Sequence, residues 1–370
     1  MNNTSLAFTN DTYILDNSST KTGHHFTVTE VLLHFQPASV YIDRIVSPIW
    51  YGIGLIGNPI SAIVWLGRKS RNSSAIYLGI LAIVHTINLI THFSLNELTY
   101  TWEIPTNKNH GLCEALNVLA IVPQYLAPLL VLGFTTERYI AVCHPFKKET
   151  FCTVRRALIV SASLTLLSCV IAAVQSCLWK YYPQYNKCLQ NPQMEHFQTI
   201  WTATTEILFF LVVPLCVLLF DILVIREIKR ITSQGPAITA SGGNQATTIT
   251  LLAVSFYFIF TLLPTSVVYA IQNGIPIGNE ENLKSFAHMA SDSLWMKYFK
   301  YMAIRKVVEE ICLSNSACYI FIYYATGQYF RKQVFLMFCR KLVRADPISV
   351  SEKTNYSLMT SNGNEVTSKM

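Results

Sequence analysis

The chain has 370 residues, of which 51% are hydrophobic and only 13% charged, with a formal net charge of +7. A soluble globular chain carries about 25% charge, so too little polar surface is present to cover soluble domains of this length. The apolar residues are bunched into runs of roughly twenty or more, each long enough to cross a bilayer core of about 30 Å as a helix. That pattern marks a polytopic membrane protein.

Residues 1–43 open the chain as a polar tail with Asn-X-Ser/Thr sequons at Asn2, Asn3, Asn10 and Asn17, which suit an exposed, glycosylated segment. MNNTSLAFTN has neither a basic start nor an apolar core, so no cleavable signal peptide is expected and the first span serves as the anchor. Seven spans follow, at about 44–66, 75–97, 112–140, 155–178, 198–225, 248–272 and 301–325. The expected fold is all-α: a seven-transmembrane helix bundle over 44–326, a short amphipathic helix over 327–344, and a disordered polar tail over 345–370.

Basic residues gather in alternate connections: Arg68, Lys69 and Arg71; Lys147, Lys148, Arg155 and Arg156; Arg226, Lys229 and Arg230; and Arg331, Lys332, Arg340, Lys341 and Arg344. The positive-inside rule makes that side cytoplasmic and the amino terminus extracellular. The net positive charge therefore reads as topology, and no nucleic-acid partner is expected. The sequons at Asn72 and Asn355 fall on the cytoplasmic side and are discounted. Of ten cysteines, only Cys113 and Cys188 lie clearly outside, where an oxidising environment favours a disulfide over two free thiols.

The third span ends in TERYIAVCHP. From Cys113 to Arg138 the helix rises roughly 37 Å at about 1.5 Å per residue, so Glu137, Arg138 and Tyr139 reach the inner face. A charged group poised at a helix end can exchange partners when helices move, which gives this triplet the character of a latch.

ERYIAVCHP, GNPISAIVW with Asn58, the Cys113/Cys188 pair, Pro214, Phe258 and Pro264, and NSACYIFIYYATGQYFR together resemble the rhodopsin-like G-protein-coupled receptors across all seven spans. The resemblance implies a ligand-gated switch acting on a heterotrimeric G protein, with Glu137, Arg138, Tyr139, Phe258, Pro264 and Tyr323 in coupling and activation. It implies a receptor, not an enzyme. ERYIAVCHPF, ILVIREIKRI and NSACYIFIYYATGQYF are similar to the invertebrate FMRFamide-type and related neuropeptide receptors. That narrower resemblance implies a short amidated peptide as ligand.

Departures from the family pattern carry information. His85 stands where an aspartate is usual, Ala127 where a serine is common, and Tyr319 where an asparagine is common. An imidazole, a methyl and a phenol are poor ligands for a hard cation that wants oxygens, so no sodium is expected. No second His, Cys or carboxylate is spaced to join His85, so neither a metal nor a cofactor is expected. His85 is either a functional ionisable group or a neutral imidazole bonded to Asn58, Asn88 or Asn315. Leu262 replaces a common tryptophan, so the packing around the Pro264 kink would draw on Phe258 and Phe260.

Ala120 occupies the place where amine receptors of the family carry an aspartate, which disfavours a small protonated amine and leaves Gln124 further in. Carboxylates occur instead at Glu97, Glu206, Glu309 and Glu310. They suit a peptide with a basic side chain, although Glu309 or Glu310 could pair with Arg305 or Lys306 one turn away. Span 5 offers Glu206 no local partner.

After span 7, Phe330, Val334, Phe335, Met337 and Phe338 interleave with Arg331, Lys332, Arg340 and Lys341, as in a helix on the lipid surface of the inner leaflet. Cys339 is either a palmitoylation site or a plain free thiol. The Ser/Thr-rich tail offers phosphorylation sites for a receptor kinase and then arrestin. The rival readings are a chemosensory receptor of the same fold and a transporter or channel. The internal repeats and broken midplane helices of transporters are not found in the sequence.

Overall fold

A computed structural model of the chain describes residues 28–67, 72–95, 98, 109–184, 187–233, 242–276, 278 and 285–345. A short helix, α1 (Val28–Phe35), precedes the first span, α2 (Pro37–Leu66). Span 2 is α3 (Ser73–His92), started by Asn72, whose side chain accepts a hydrogen bond from the Ala75 amide at 2.7 Å. This sequon asparagine therefore serves as a helix cap.

Span 3 is α4 (Leu112–Cys143), entered through Gly111 at φ +79°, a conformation that favours glycine. The Glu114 carboxylate caps back onto the Gly111 amide at 2.5 Å. A seven-residue helix, α5 (Pro145–Phe151), begins at a proline and leads to span 4, α6 (Val154–Ala172), with a last turn α7 (Gln175–Leu178). A hairpin follows: β1 (Trp179–Tyr182) pairs antiparallel with β2 (Lys187–Gln190), placing Tyr181 opposite Cys188.

Span 5 comprises α8 (Glu195–Glu206), a π-helical segment Ile207–Val212, and α9 (Val213–Ser233). Span 6 is α10 (Gly242–Ile271), and α11 (Phe286–Ser291) lies before span 7. Span 7 is α12 (Ser293–Asn315), broken at 316–318, then α13 (Tyr319–Thr326). It leads directly to α14 (Gln328–Ala345).

Spans 1 to 6 are long and apolar enough to cross a membrane. Span 7 carries Lys297, Lys300, Arg305, Lys306, Glu309 and Glu310 in α12, and it hides the costly ones from lipid: Arg305 and Glu310 are each 6% exposed. The membrane-facing surface is made instead of Ile56, Ile63, Leu166, Val170, Phe260 and Val267, all largely exposed outside the bundle. This is a multi-pass membrane protein.

The main core joins Leu78 and Leu81 of span 2, Leu130 and Phe134 of span 3, Val217 of span 5, Val254 and Phe258 of span 6, and Tyr319 and Tyr323 of span 7. A second cluster caps the head of span 7, where Val31, Leu32 and Val40 pack with Met289, Trp295, Phe299 and Met302. Phe35 stacks on Phe299 at 5.0 Å, and His34 on Phe286 at 4.4 Å.

Several expected boundaries move. The tail expected over 1–43 is folded from Val28 onward, because its apolar residues have the head of span 7 to pack against. The 43/44 boundary falls inside α2. Span 7 starts at Ser293, not 301, and α9 runs to Ser233, not 225. Charged residues lower hydropathy without stopping a helix whose polar face has partners. Span 6 begins at Gly242, inside the stretch read as a loop.

Candidate functional site

At one end of the bundle, the Cys113–Cys188 disulfide pins strand β2 to the head of span 3. Asn117, one turn below, points its amide at the Cys188 sulfur at 3.4 Å. The hairpin thus packs against the head of span 3, with Tyr181 edge-on to His110. Gln124 lies roughly 16 Å deeper along α4, at about 1.5 Å per residue. Its amide donates to the Ala120 carbonyl of its own helix at 3.2 Å. Beside it, Tyr125 is buried and stacks on Phe209 of span 5 at 4.4 Å.

Glu206 closes α8 directly above the π-helical segment and is half-buried. Among the described residues no contact ion pair holds it. Glu309 stands differently. Its carboxylate accepts from Arg305 Nε at 2.7 Å and from the Tyr269 hydroxyl at 2.8 Å, with Lys306 Nζ at 3.9 Å. The Arg305 guanidinium also sits over the Tyr269 ring, 4.9 Å from its centre. Glu310 accepts from Ser47 at 2.5 Å, tying span 1 to span 7. Glu97, the four amino-terminal sequons and the Cys339 side chain lie outside the described residues.

Below this level a hydrogen bond joins spans 5 and 6. In the π-helical segment the ladder runs five residues back, as from the Val213 amide to the Leu208 carbonyl, and Pro214 has no amide hydrogen to continue it. The Ser266 hydroxyl of span 6 donates to the Phe210 carbonyl within that segment. Phe258 is 1% exposed and packs in the core, but Phe260 is 69% exposed on the outer face. Successive aromatic residues on a helix cannot share one face, so Phe260 takes no part in packing at the Pro264 kink. The buried Leu262 and Phe258 do.

At mid-depth the break in span 7 makes Ser316 a hub that sequence reasoning missed. Its carbonyl accepts from Asn58 at 2.8 Å, and its hydroxyl meets Asn88 at 2.9 Å and His85 Nδ1 at 3.2 Å. His85 was expected to meet Asn58, Asn88 or Asn315 directly; all but Asn315 converge on Ser316 instead. Asn315 accepts from Tyr319 at 2.5 Å. The proline-free break leaves the Ser316 carbonyl to Asn58, and only Tyr319, standing where an asparagine is common, hinted at it.

At the opposite end from the disulfide, Glu137 and Arg138 engage the first turn of α3. Ser73 donates to the Glu137 carboxylate, and Arg138 Nη2 donates to the Ser74 hydroxyl. Glu137 is 6% exposed, and a helix amino terminus favours its negative charge. Tyr139 packs its ring against Phe220 of span 5 at 5.3 Å. Tyr323 is buried between Trp65 at 5.4 Å and Phe330 of α14 at 5.5 Å. On α14, Arg331 donates to the Tyr324 and Ala325 carbonyls, both at 2.8 Å, leaving Phe335 and Phe338 exposed.

The family model for the seven-transmembrane receptors of the rhodopsin family matches residues 60–303, more than half of the chain. The chain belongs to the rhodopsin family of seven-transmembrane receptors. Members of this family are receptors, not enzymes. The receptor is 26% identical over 245 residues to a neuromedin U receptor homolog of Caenorhabditis elegans, covering 64% of this chain and 53% of that protein. It is 23% identical over 329 residues to the FMRFamide receptor of Drosophila melanogaster, covering 82% and 55%. It is also 25% identical over 193 residues to the pyrokinin-1 receptor of Drosophila melanogaster, covering 50% and 44%. The chain thus spans about half the length of the curated relatives it matches.

Proposed function

We propose that this receptor sits in the plasma membrane with its disulfide end outside, binds a short basic peptide there, and activates a heterotrimeric G protein at the Arg138 end. The observation that carries the ligand reading is Glu206, a half-buried carboxylate in the outer half of the bundle with no contact ion pair among the described residues. A desolvated carboxylate calls for a cation, and a ligand's arginine or amine supplies one. Gln124 adds an amide, while Tyr125 and Phe209 supply an aromatic floor. Relatives named for neuromedin U, FMRFamide and pyrokinin support a peptide, as does the absence of an acidic residue at Ala120.

At the inner end, Glu137, Arg138 and Tyr139 form the coupling surface, with Tyr323, Phe258 and Pro264 linking it to the ligand end. The exposed Phe335 and Phe338 of α14 face the lipid of the inner leaflet, where Cys339 takes a palmitoyl chain. Glycans at Asn2, Asn3, Asn10 and Asn17 decorate the outer tail. Phosphorylation of the cytoplasmic tail by a receptor kinase recruits arrestin.

The test is a screen of short basic and amidated peptides on cells expressing the receptor, read by calcium and cAMP. A peptide that acts on these cells and not on mock-transfected cells is the expected outcome. Activation by an environmental small molecule and by no peptide would favour the chemosensory alternative.

A further inference from the structure

Span 7 is longer on its outer side than a membrane crossing needs. Ser316 lies at mid-depth, and from there the 23 residues of α12 rise roughly 34 Å at about 1.5 Å per residue. One leaflet contributes only about 15 Å of hydrocarbon, so the head of α12 projects beyond it. That head is nonetheless apolar and hidden: Trp295, Tyr298, Phe299 and Met302 are each at most 4% exposed.

Three other pieces of chain supply the cover. From α1 come Val31, Leu32 and Phe35, which share one helix face, with Phe35 stacked on Phe299 at 5.0 Å. From α11 come Phe286 and Met289. The link after span 6 adds Ile275 and then Gly278, where a Cβ would strike the Trp295 ring. On the other side of α1, Glu30 and Leu33 are exposed.

The cover also joins spans. Val40 of span 1 and Val268 of span 6 belong to the same cluster, and the Tyr301 hydroxyl of span 7 donates to the Val268 carbonyl at 3.0 Å. One turn below Tyr301 lies Arg305, paired with Glu309 and only 6% exposed. Beside it Ser47 of span 1 holds Glu310. Protein therefore fills the seam between spans 1, 6 and 7 down to the charged pair. Glu206 of span 5 is half-buried and lies outside this cluster.

We propose that α1 is a strap that seals the seam between spans 1, 6 and 7 and leaves an extracellular peptide only the side of spans 3 and 5, where Gln124 and Glu206 stand. The strap decides which carboxylate a ligand's cation meets: Glu206, and not Glu309. The entry route rests on the peptide reading above, whereas the seal rests on the apolar cover alone.

The experiment uses the full-length receptor on intact cells and a membrane-impermeant cationic thiosulfonate as the probe. The background carries Cys177→Ser, because Cys177 is exposed at the outer end of span 4. Met302→Cys reports the seam, and Gln124→Cys reports the opposite side. With the native strap, Gln124→Cys should react about tenfold or more faster than Met302→Cys, which waits on local opening. Leu32, 3% exposed, is the handle on the strap. Leu32→Asp puts a carboxylate into the apolar cluster and should speed the reaction at Met302→Cys about tenfold or more, with the rate at Gln124→Cys unchanged. Leu33→Asp, at a position 39% exposed, should change neither rate.

A rate at Met302→Cys that equals the rate at Gln124→Cys, or that Leu32→Asp does not move, would overturn the strap. Acceleration at both positions together would mean general loosening and would overturn it too. Failure of Gln124→Cys to react in any background would sink the ligand site of the peptide reading and the entry route with it. Faster reaction at Met302→Cys in Leu32→Asp would still establish the seal in that case.

Discussion

Replacing Glu309 by Gln separates two roles that a carboxylate near the mouth of the bundle can have. Glu309 holds Arg305 at 2.7 Å, and Arg305 is 6% exposed with its guanidinium against the Tyr269 ring. Removing one partner of a buried pair costs about 3–5 kcal/mol, because the other charge is left uncompensated. Losses of even 1–2 kcal/mol change cellular abundance by roughly several-fold. Glu309→Gln should therefore lower surface abundance and the unfolding temperature of solubilised receptor, while agonist potency on the surviving receptors changes little. Removing both charges in Arg305→Gln/Glu309→Gln should restore much of the lost stability, since neither partner is then stranded. Flow cytometry of an amino-terminal epitope and thermal unfolding provide the readouts. Normal abundance and stability with a large loss of potency would refute the reasoning and return Glu309 to the ligand.

Ser266→Ala removes the hydroxyl that bonds the Phe210 carbonyl and should destabilise the receptor by about 1–3 kcal/mol, read as a lower unfolding temperature; Ser266→Thr, which keeps the hydroxyl, should lose less. An amino-terminal epitope should stain intact cells and shift in mass on deglycosylation, whereas a carboxyl-terminal epitope should need permeabilisation. Agonist affinity should respond to sodium no more than to an impermeant cation at equal ionic strength, because His85, Ala127 and Tyr319 offer no oxygen cage; a sodium effect lost in His85→Ala would contradict this.

The bundle was legible because membrane burial imposes a coarse rule: long apolar runs become helices. The Cys113–Cys188 bond was legible for the same reason, since topology left those two thiols on one side. Span 7 was misjudged at its start because Lys297 and Lys300 interrupt the apolar run, although Trp295, Tyr298 and Phe299 on the same turns bury fully. Val28, Val31, Leu32 and Phe35 recur at helical spacing, a local signal overlooked in a polar tail; what it does not give is the docking of α1 on α11 and the head of span 7. The hairpin has only weak turn signals in YYPQYNKC. Ser316 could not be singled out, because its role comes from a helix break that gathers Asn58, Asn88 and His85 from three other positions in space.

The central claim is that Glu206 receives a cation carried by an extracellular peptide, and a double-mutant cycle tests it most directly. With an agonist found in the screen, binding is measured for the peptide and its citrulline-for-arginine analogue on wild type and Glu206→Gln. A broken buried pair at about 3–5 kcal/mol corresponds to a loss on the order of a hundredfold or more, at about 1.4 kcal/mol per tenfold. The account predicts that loss for either change alone and little further loss when both are made. Independent, additive losses would show that the two groups do not meet and that Glu206 is structural.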